Sequence, residues 1–427
     1  MLRRIWAAVE VVIPRGLVAA STIVAAAVTN PHAIGMLSWA SLSLTLYLAL
    51  ADAPIRHVAI SAIQTTDGRH FLRRYTLLSS SVGFLFMTIA IWVIADVFGV
   101  DTARGDFLSL APLILVPVAR AVAVVPTAVS QRDGWWGRIS LYRTIGAVVG
   151  AAVGLPIVFI DRSIVGASIA FALSEITYAI IVTIVVAGRG GAPSDGNSNP
   201  HESGQDFIVA YRHMTLYAAI GWLQGLSERV LVGLWAGTGA LGVYSLGSAV
   251  GRSSGDAIAA SQPTVLRTDL AQSAPRSDSE IRSMLGRNLR GSLVLTVSNA
   301  IVVIVVAIYA LPHFLGPNWT AALQMVPILA LSAIPLAIAA SSAPVHVHRG
   351  NARVAYIAPS VCLIFAPLIA LAAMNSLVIA ACIVLLRECV LALLQSLLMG
   401  RSAPWREIGF AMLAVAVGAV ALAPGWS

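Results

Sequence analysis

About thirteen apolar stretches, each near 20 residues, divide this chain of 427 residues. A run of about 20 apolar residues is what a helix needs to cross a bilayer's hydrocarbon core. In lipid, backbone polar groups must be satisfied within the chain, so only helices and closed barrels span. Barrel strands are about 9–11 residues of alternating polarity, and these runs are longer and continuously apolar. The expected fold class is therefore an all-α polytopic membrane protein. Charged residues make up 11% of the chain and hydrophobic residues 58%, whereas a soluble domain carries about 25% charge.

The spans fall at about 11–30, 37–54, 74–96, 107–127, 144–160, 164–187, 209–235, 241–262, 291–312, 319–343, 354–374, 376–399 and 408–424. With the N-terminus in the cytoplasm, the intervening segments lie alternately inside and outside. Most of the arginines then fall inside, and only Arg104 and Arg162 fall outside. That bias sets orientation. The net charge of +8 is carried without a single lysine, and its placement beside spans argues for orientation and against nucleic acid. Glu10, Pro14 and Arg15 interrupt what would be the apolar core of a signal peptide, so no cleaved leader is expected. Cys362, Cys382 and Cys389 all lie in spans, and no disulfide is expected.

Residues 188–206, rich in Gly, Ser, Asn and Pro, read as a flexible cytoplasmic linker. It separates a six-helix lobe at 1–187 from a second at 207–400, with one extra C-terminal helix in 401–427. The inside segment 263–290 reads as a solvated loop or as an amphipathic surface helix around Ile281–Leu289. The lobes show an internal repeat. AIGMLSWAS (33–41) opens the second span and ALGVYSLGS (240–248) the eighth; FGVDTA (98–103) and LGPNWTA (315–321) precede the fourth and tenth. Six helices displaced by six keep the same in/out sense, so the repeat is parallel. Such repeats are typical of transporters that hold substrate in a central cavity between the halves near mid-bilayer.

These motifs carry a family resemblance. Ala33-Ile34-Gly35 and Ala240-Leu241-Gly242-Val243-Tyr244-Ser245 resemble the glycine-centred span openings of polysaccharide flippases. FLGPNWTAALQMVPILALSAIPLAI (314–338) is similar to their "L-F-G-x-x-W" signature, and PLILVPVARAVAVVPTAVSQRDGWWGR (112–138) to their proline-rich fourth helix. The likeness covers nearly all of residues 1–400. It points to the O-antigen and exopolysaccharide lipid-carrier flippases of the multidrug/oligosaccharidyl-lipid/polysaccharide superfamily. Two departures stand out: thirteen spans where the family has twelve or fourteen, and Ala51-Asp52-Ala53-Pro54 where Asp-x-Gly is common. The resemblance implies two six-helix lobes around a cavity lined by the first, second, seventh and eighth spans. The implied substrate is a polyprenyl-pyrophosphate-linked oligosaccharide, moved to the outer leaflet of a bacterial inner membrane by alternating access. Its partners would be membrane lipids, a polysaccharide polymerase and glycosyltransferases. No cofactor, metal or catalytic residue is expected.

Charges inside the spans are the candidate site. Each costs about 2.5–3.5 kcal/mol at a helix centre. Guanidinium groups bind phosphate bidentately and stay charged. Arg15, Arg229 and Arg252 are therefore the first candidates for the pyrophosphate, with Arg120 and Arg387 next. The acids Asp52, Glu175, Glu228 and Asp256 are candidates for ion pairing or cation coupling, and Glu388 is a further buried acid. Snorkelling of Arg15 and Arg120, a local Arg252–Asp256 pair and general mutual neutralisation are the competing readings. Glu228-Arg229 and Arg387-Glu388 are sequence neighbours, about 100° apart on a helix, so each charge needs a partner elsewhere or water. Pro14, Pro112, Pro117, Pro126, Pro327 and Pro335 should bend their helices. A cation-coupled drug exporter of the same superfamily, recruiting Glu175 or Asp52, is the alternative function. A membrane glycosyltransferase or polymerase would need a larger acidic outside loop than 97–106.

Overall fold

The computed structural model describes residues 16–17, 19–52, 54–55, 58–59, 66–99, 103–187, 204–273, 277–349 and 354–422. Arg15, Pro14 and residues 188–203 of the expected linker lie outside them. Every regular element among the described residues is helical. In chain order these are α1 (Ala19–Val28), α2 (Pro31–Leu50), α3 (Thr66–Phe98), α4 (Ala103–Leu110), α5 (Val116–Arg132), α6 (Trp136–Asp161), α7 (Val165–Ala187) and α8 (Gly204–Trp235). Then follow α9 (Thr238–Ser273), α10 (Asp278–Tyr309), α11 (Thr320–Ala340), α12 (Ser342–His348), α13 (Val354–Cys362), α14 (Phe365–Asn375), α15 (Leu377–Met399) and α16 (Trp405–Leu422).

Among the described residues, ten helical stretches are long and apolar enough to cross a membrane, which makes this a multi-pass membrane protein. The described part of the first expected span, α1, is short. Helices α8 and α9 have 32 and 36 residues but are too polar to qualify. They are the helices that carry Glu228, Arg229, Arg252 and Asp256. The α16 helix is 18 residues long, or about 27 Å at 1.5 Å per residue.

Prolines break the fourth span more sharply than simple bends would. Pro112 lies in a 3-10 segment, Ala111–Leu115, that separates α4 from α5, and Pro117 sits in the first turn of α5. Each proline removes an amide donor from the helix ladder, and two within six residues exhaust the α geometry. Pro126, Pro327 and Pro335 remain inside continuous helices.

The described residues of 263–290 belong to two long helices. Helix α9 continues to Ser273, and α10 starts at Asp278 under a capping box in which Ser277 and Glu280 satisfy each other's backbone amides. Leu266 and Leu270 of α9 and Ile281, Leu285 and Leu289 of α10 are buried in one apolar cluster. The i, i+4 spacing that suggested a surface helix thus lines a helix pair.

The contacts divide the chain into two compact units, Met1–Thr29 with Met36–Leu223 and Asn30–Gly35 with Gln224–Ser427. In the first, α6 and α7 pack through small residues. A side chain at Gly146, Gly150 or Gly154 of α6 would strike the α7 backbone at Ser174, Ala170 or Gly166 respectively. Small residues at four-residue spacing permit this approach, the usual way helices associate in lipid. The opposite face of α6 exposes Leu141, Val148 and Phe159, as a lipid-facing surface should. In the second unit, α11 is the central helix, with most of its side chains buried and α9, α10, α15 and α16 packed around it. Gly35 and Gly242, matched by the internal repeat, make reciprocal approaches: Gly35 faces the Thr238 carbonyl and Gly242 the Pro31 carbonyl.

Candidate functional site

The intramembrane charges gather into one cluster in each unit. In the first unit, Arg120 of α5 lies between two acids. Its Nη2 donates to Glu175 Oε1 of α7 at 2.5 Å, and its Nη1 is 3.8 Å from Asp52 Oδ2, just beyond the end of α2. Nearby, Arg143 of α6 stacks over the Tyr178 ring at 4.5 Å, and the Tyr178 hydroxyl bonds Thr127 of α5 at 2.7 Å. These contacts tie α5, α6 and α7 together on the side where Arg120 crosses to Glu175.

The cluster in the second unit is larger and drier. Arg387 of α15 is 1% exposed, Glu388 0%, Glu228 of α8 2% and Arg252 of α9 7%. Arg387 donates to Glu228 Oε2, to Glu388 Oε1 at 2.6 Å and to the Gln224 carbonyl at 3.3 Å. Arg252 donates to the same Glu388 Oε1 at 3.2 Å and to Asp256 Oδ1 at 3.5 Å. Tyr244 completes the set by donating to Glu228 Oε1 at 2.8 Å. Ions so deep survive only when paired and hydrogen-bonded, because desolvation of a lone one costs several kcal/mol.

Neighbours in sequence meet different fates here. Arg387 finds Glu228 on another helix, as the 100° separation requires. It also reaches round to the adjacent Glu388, since the guanidinium ends a long side chain that can fold back along the helix. Arg229 does the opposite. It follows Glu228 on α8, yet it forms no ion pair among the described residues, and its Nε is buried without an acceptor. A buried donor left unsatisfied costs about 1–3 kcal/mol, more when charged.

The two clusters share a pattern. Asp52 and Asp256 follow the second-span openings at an offset of 204 residues, and Glu175 and Glu388 sit in the sixth and twelfth spans at an offset of 213. In each unit one guanidinium bridges that pair of acids, Arg120 in the first and Arg252 in the second. The acids lie in corresponding spans, though Asp52 and Asp256 are three residues out of the 207-residue register of the span openings, and the arginines do not correspond, since Arg120 comes from the fourth span and Arg252 from the second span of its unit.

Of the sequence candidates, the structure thus joins Arg252, Arg387, Glu228, Asp256 and Glu388, and separately Arg120, Asp52 and Glu175. Arg229 stands apart from both ion-pair sets, and Arg15 lies outside the described residues. Sequence reasoning missed Tyr244 as a member of the network. It lies on the same helix as Arg252 but bonds Glu228 of another helix, and no local spacing signalled that contact.

Comparison with known proteins agrees with this architecture. The family profile described as "Polysaccharide biosynthesis protein" matches residues 72–324. No curated protein matches the chain. Among solved structures, a multidrug resistance MATE family transporter of the MOP superfamily in its outward-facing conformation is 13% identical, with a TM-score of 0.57 over 96% of both chains. A MOP superfamily transporter from Pyrococcus furiosus is 11% identical, with a TM-score of 0.58 over 97% of this chain and 96% of that one. The lipid II flippase MurJ, inward closed, is 11% identical, with a TM-score of 0.56 over 98% and 96%. At such identities the likeness speaks for the fold, while the profile match, covering more than half of the chain, speaks for the family. The chain belongs to the polysaccharide biosynthesis protein family and has the helical membrane fold of the MOP superfamily.

Proposed function

We propose that this protein moves a polyprenyl-pyrophosphate-linked oligosaccharide from the cytoplasmic to the outer leaflet of a bacterial inner membrane, with its N-terminus in the cytoplasm. Transport proceeds by alternating access without a chemical step. Glycosyltransferases supply the substrate and a polymerase consumes it. The lobes 1–187 and 207–400 are the alternating bodies, joined through 188–206, and 401–427 is accessory.

The observation that carries this reading is Arg229, a guanidinium in a membrane helix with a buried Nε and no carboxylate partner among the described residues. A diphosphate supplies the acceptor oxygens in the bidentate geometry that a guanidinium fits. Arg252 and both terminal nitrogens of Arg387 are engaged by Glu228, Asp256 and Glu388. They tie α8, α9 and α15 together.

Deleting the gene should trap lipid-linked saccharide on the inner leaflet, and wild-type protein should clear it. Arg229→Gln should be made and inserted normally and fail to clear it. Full transport by that variant overturns the assignment of Arg229, and no accumulation in the deletion strain overturns the flippase reading. A cation-coupled drug exporter is the second reading, favoured by the acids Asp52 and Glu175 sharing one guanidinium in the first unit. It predicts drug sensitivity in the deletion strain with no change in surface polysaccharide.

A further inference from the structure

A recess of about 240 Å³ lies wholly within the first unit, between α1, α2, the 3-10 segment at 111–115, α6 and α7. Its described lining contains no charged residue. Its lining is apolar apart from five hydroxyl side chains: Ser21 and Thr22 of α1, Ser41 and Thr45 of α2, and Ser174 of α7. Phe171, one turn before Ser174, lines it as well. Ser41 and Thr45 are exposed although they sit in the second half of an apolar membrane helix. Sites this small fall below the roughly 300–1,000 Å³ of drug-sized pockets, so the recess accommodates one ring and not an extended molecule.

The hydrogen-bond inventory fixes the polarity of what fits. A hydroxyl has one proton to donate and two lone pairs with which to accept. Ser21 spends its proton on the Leu17 carbonyl at 2.9 Å, and Thr45 spends its own on the Leu42 carbonyl at 2.9 Å. Thr45 also accepts from Trp222 Nε1 at 3.2 Å. This back-bonding is common for Ser and Thr on helices, and it leaves oxygen acceptors turned toward the recess. Ser41 and Ser174 make no hydrogen bond with the described residues. The recess therefore offers acceptors and a few adaptable hydroxyls against an aromatic and aliphatic wall. Among the described residues, no guanidinium lines it to draw an anion. Among the described residues no carboxylate lines it to hold a cation either, and a bare hard cation needs about six to eight converging oxygens.

We propose that this recess is a sugar subsite that takes one neutral hexose-like ring of the substrate. The ring's hydroxyls donate to Ser21, Ser41, Thr45 and Ser174, and its C–H face lies against Phe171. The proposal rests on the flippase reading and gives the glycan a place of its own, separate from the diphosphate contact at Arg229. It also accounts for hydroxyl side chains exposed within a membrane helix, which lipid would not reward.

The test uses the full chain in phosphatidylcholine nanodiscs and saturation-transfer NMR. The probes are the methyl glycosides of glucose, galactose and N-acetylglucosamine, with tetraphenylphosphonium as a hydrophobic cation. The variants are the triple substitution Ser41→Ala, Thr45→Val, Ser174→Ala, which removes hydroxyls with little change of volume, and Ser41→Leu, which fills the space. At least one glycoside should give a signal with wild-type protein. Its affinity should fall at least about tenfold in the triple variant, as expected for the loss of two or three hydrogen bonds, and the signal should vanish in Ser41→Leu. Tetraphenylphosphonium should give no signal that depends on Ser41. The proposal is overturned if no glycoside binds, if the variants bind as wild type does, or if the cation occupies the site. Clearance of lipid-linked saccharide is measured in the same variants. Transport by wild type with no hydroxyl-dependent glycoside binding sinks the subsite alone. Glycoside binding without any such transport sinks the flippase reading alone.

Discussion

Arg387→Gln tests the dry network of the second unit most directly. The guanidinium is 1% exposed and holds Glu228, Glu388 and the Gln224 carbonyl. Glutamine keeps a polar tip but removes the charge and most of the donors, so two carboxylates lose their principal counterion. Breaking a buried pair from one side costs about 3–5 kcal/mol, since the stranded charge stays desolvated. Arg252 still reaches Glu388 at 3.2 Å and Tyr244 still donates to Glu228 at 2.8 Å, which places the expected loss near the lower end, about 3 kcal/mol. The assay is equilibrium unfolding of the purified full chain in mixed micelles of increasing dodecyl sulfate fraction, followed by tryptophan fluorescence. Adding Glu228→Gln to the same chain removes the stranded acid and should recover part of the loss, with a coupling of about 1–3 kcal/mol. A single variant that unfolds within about 1 kcal/mol of wild type would mean that water or relaxed neighbours solvate the acids. A double variant that is simply additive would mean that the pair does not interact. Either result refutes the reasoning.

Three further outcomes are expected. Arg229→Gln should change stability by less than about 1 kcal/mol, because no ion pair is lost, while transport fails; equal damage to both in the same two assays would make Arg229 structural. Tyr244→Phe should cost about 1–2 kcal/mol in the unfolding assay, since Glu228 loses one donor but keeps Arg387. Gly150→Leu should cost at least about 1–3 kcal/mol through overpacking, because a side chain there strikes the Ala170 carbonyl; heating followed by size-exclusion chromatography should show it as earlier loss of the monodisperse peak.

The charged residues show where sequence reading succeeds and where it stops. The Arg252–Asp256 contact was legible because i, i+4 neighbours share a helix face. Arg387 and Glu228 are 159 positions apart, and nothing local to either residue names the other. Glu228 and Arg229 look alike in sequence, a charge each in one apolar helix. Only packing buries the first in a network and leaves the second without an ion-pair partner among the described residues. The hydroxyls of the recess come from three helices and look like ordinary membrane-helix Ser and Thr until those helices meet.

The chain by itself determined that it crosses the membrane many times as helices, and that its halves are related. Those conclusions follow from local facts: lipid forbids unsatisfied backbone, so runs of apolar residues become spanning helices whatever their neighbours. Proline positions likewise announced the disturbed fourth span. Tertiary structure decided which charges cancel, which glycines meet a facing carbonyl, and that 263–290 forms the ends of two long packed helices. These depend on distances between residues far apart in sequence. In a medium where nearly every helix surface is equally apolar, sequence periodicity alone does not select the partner.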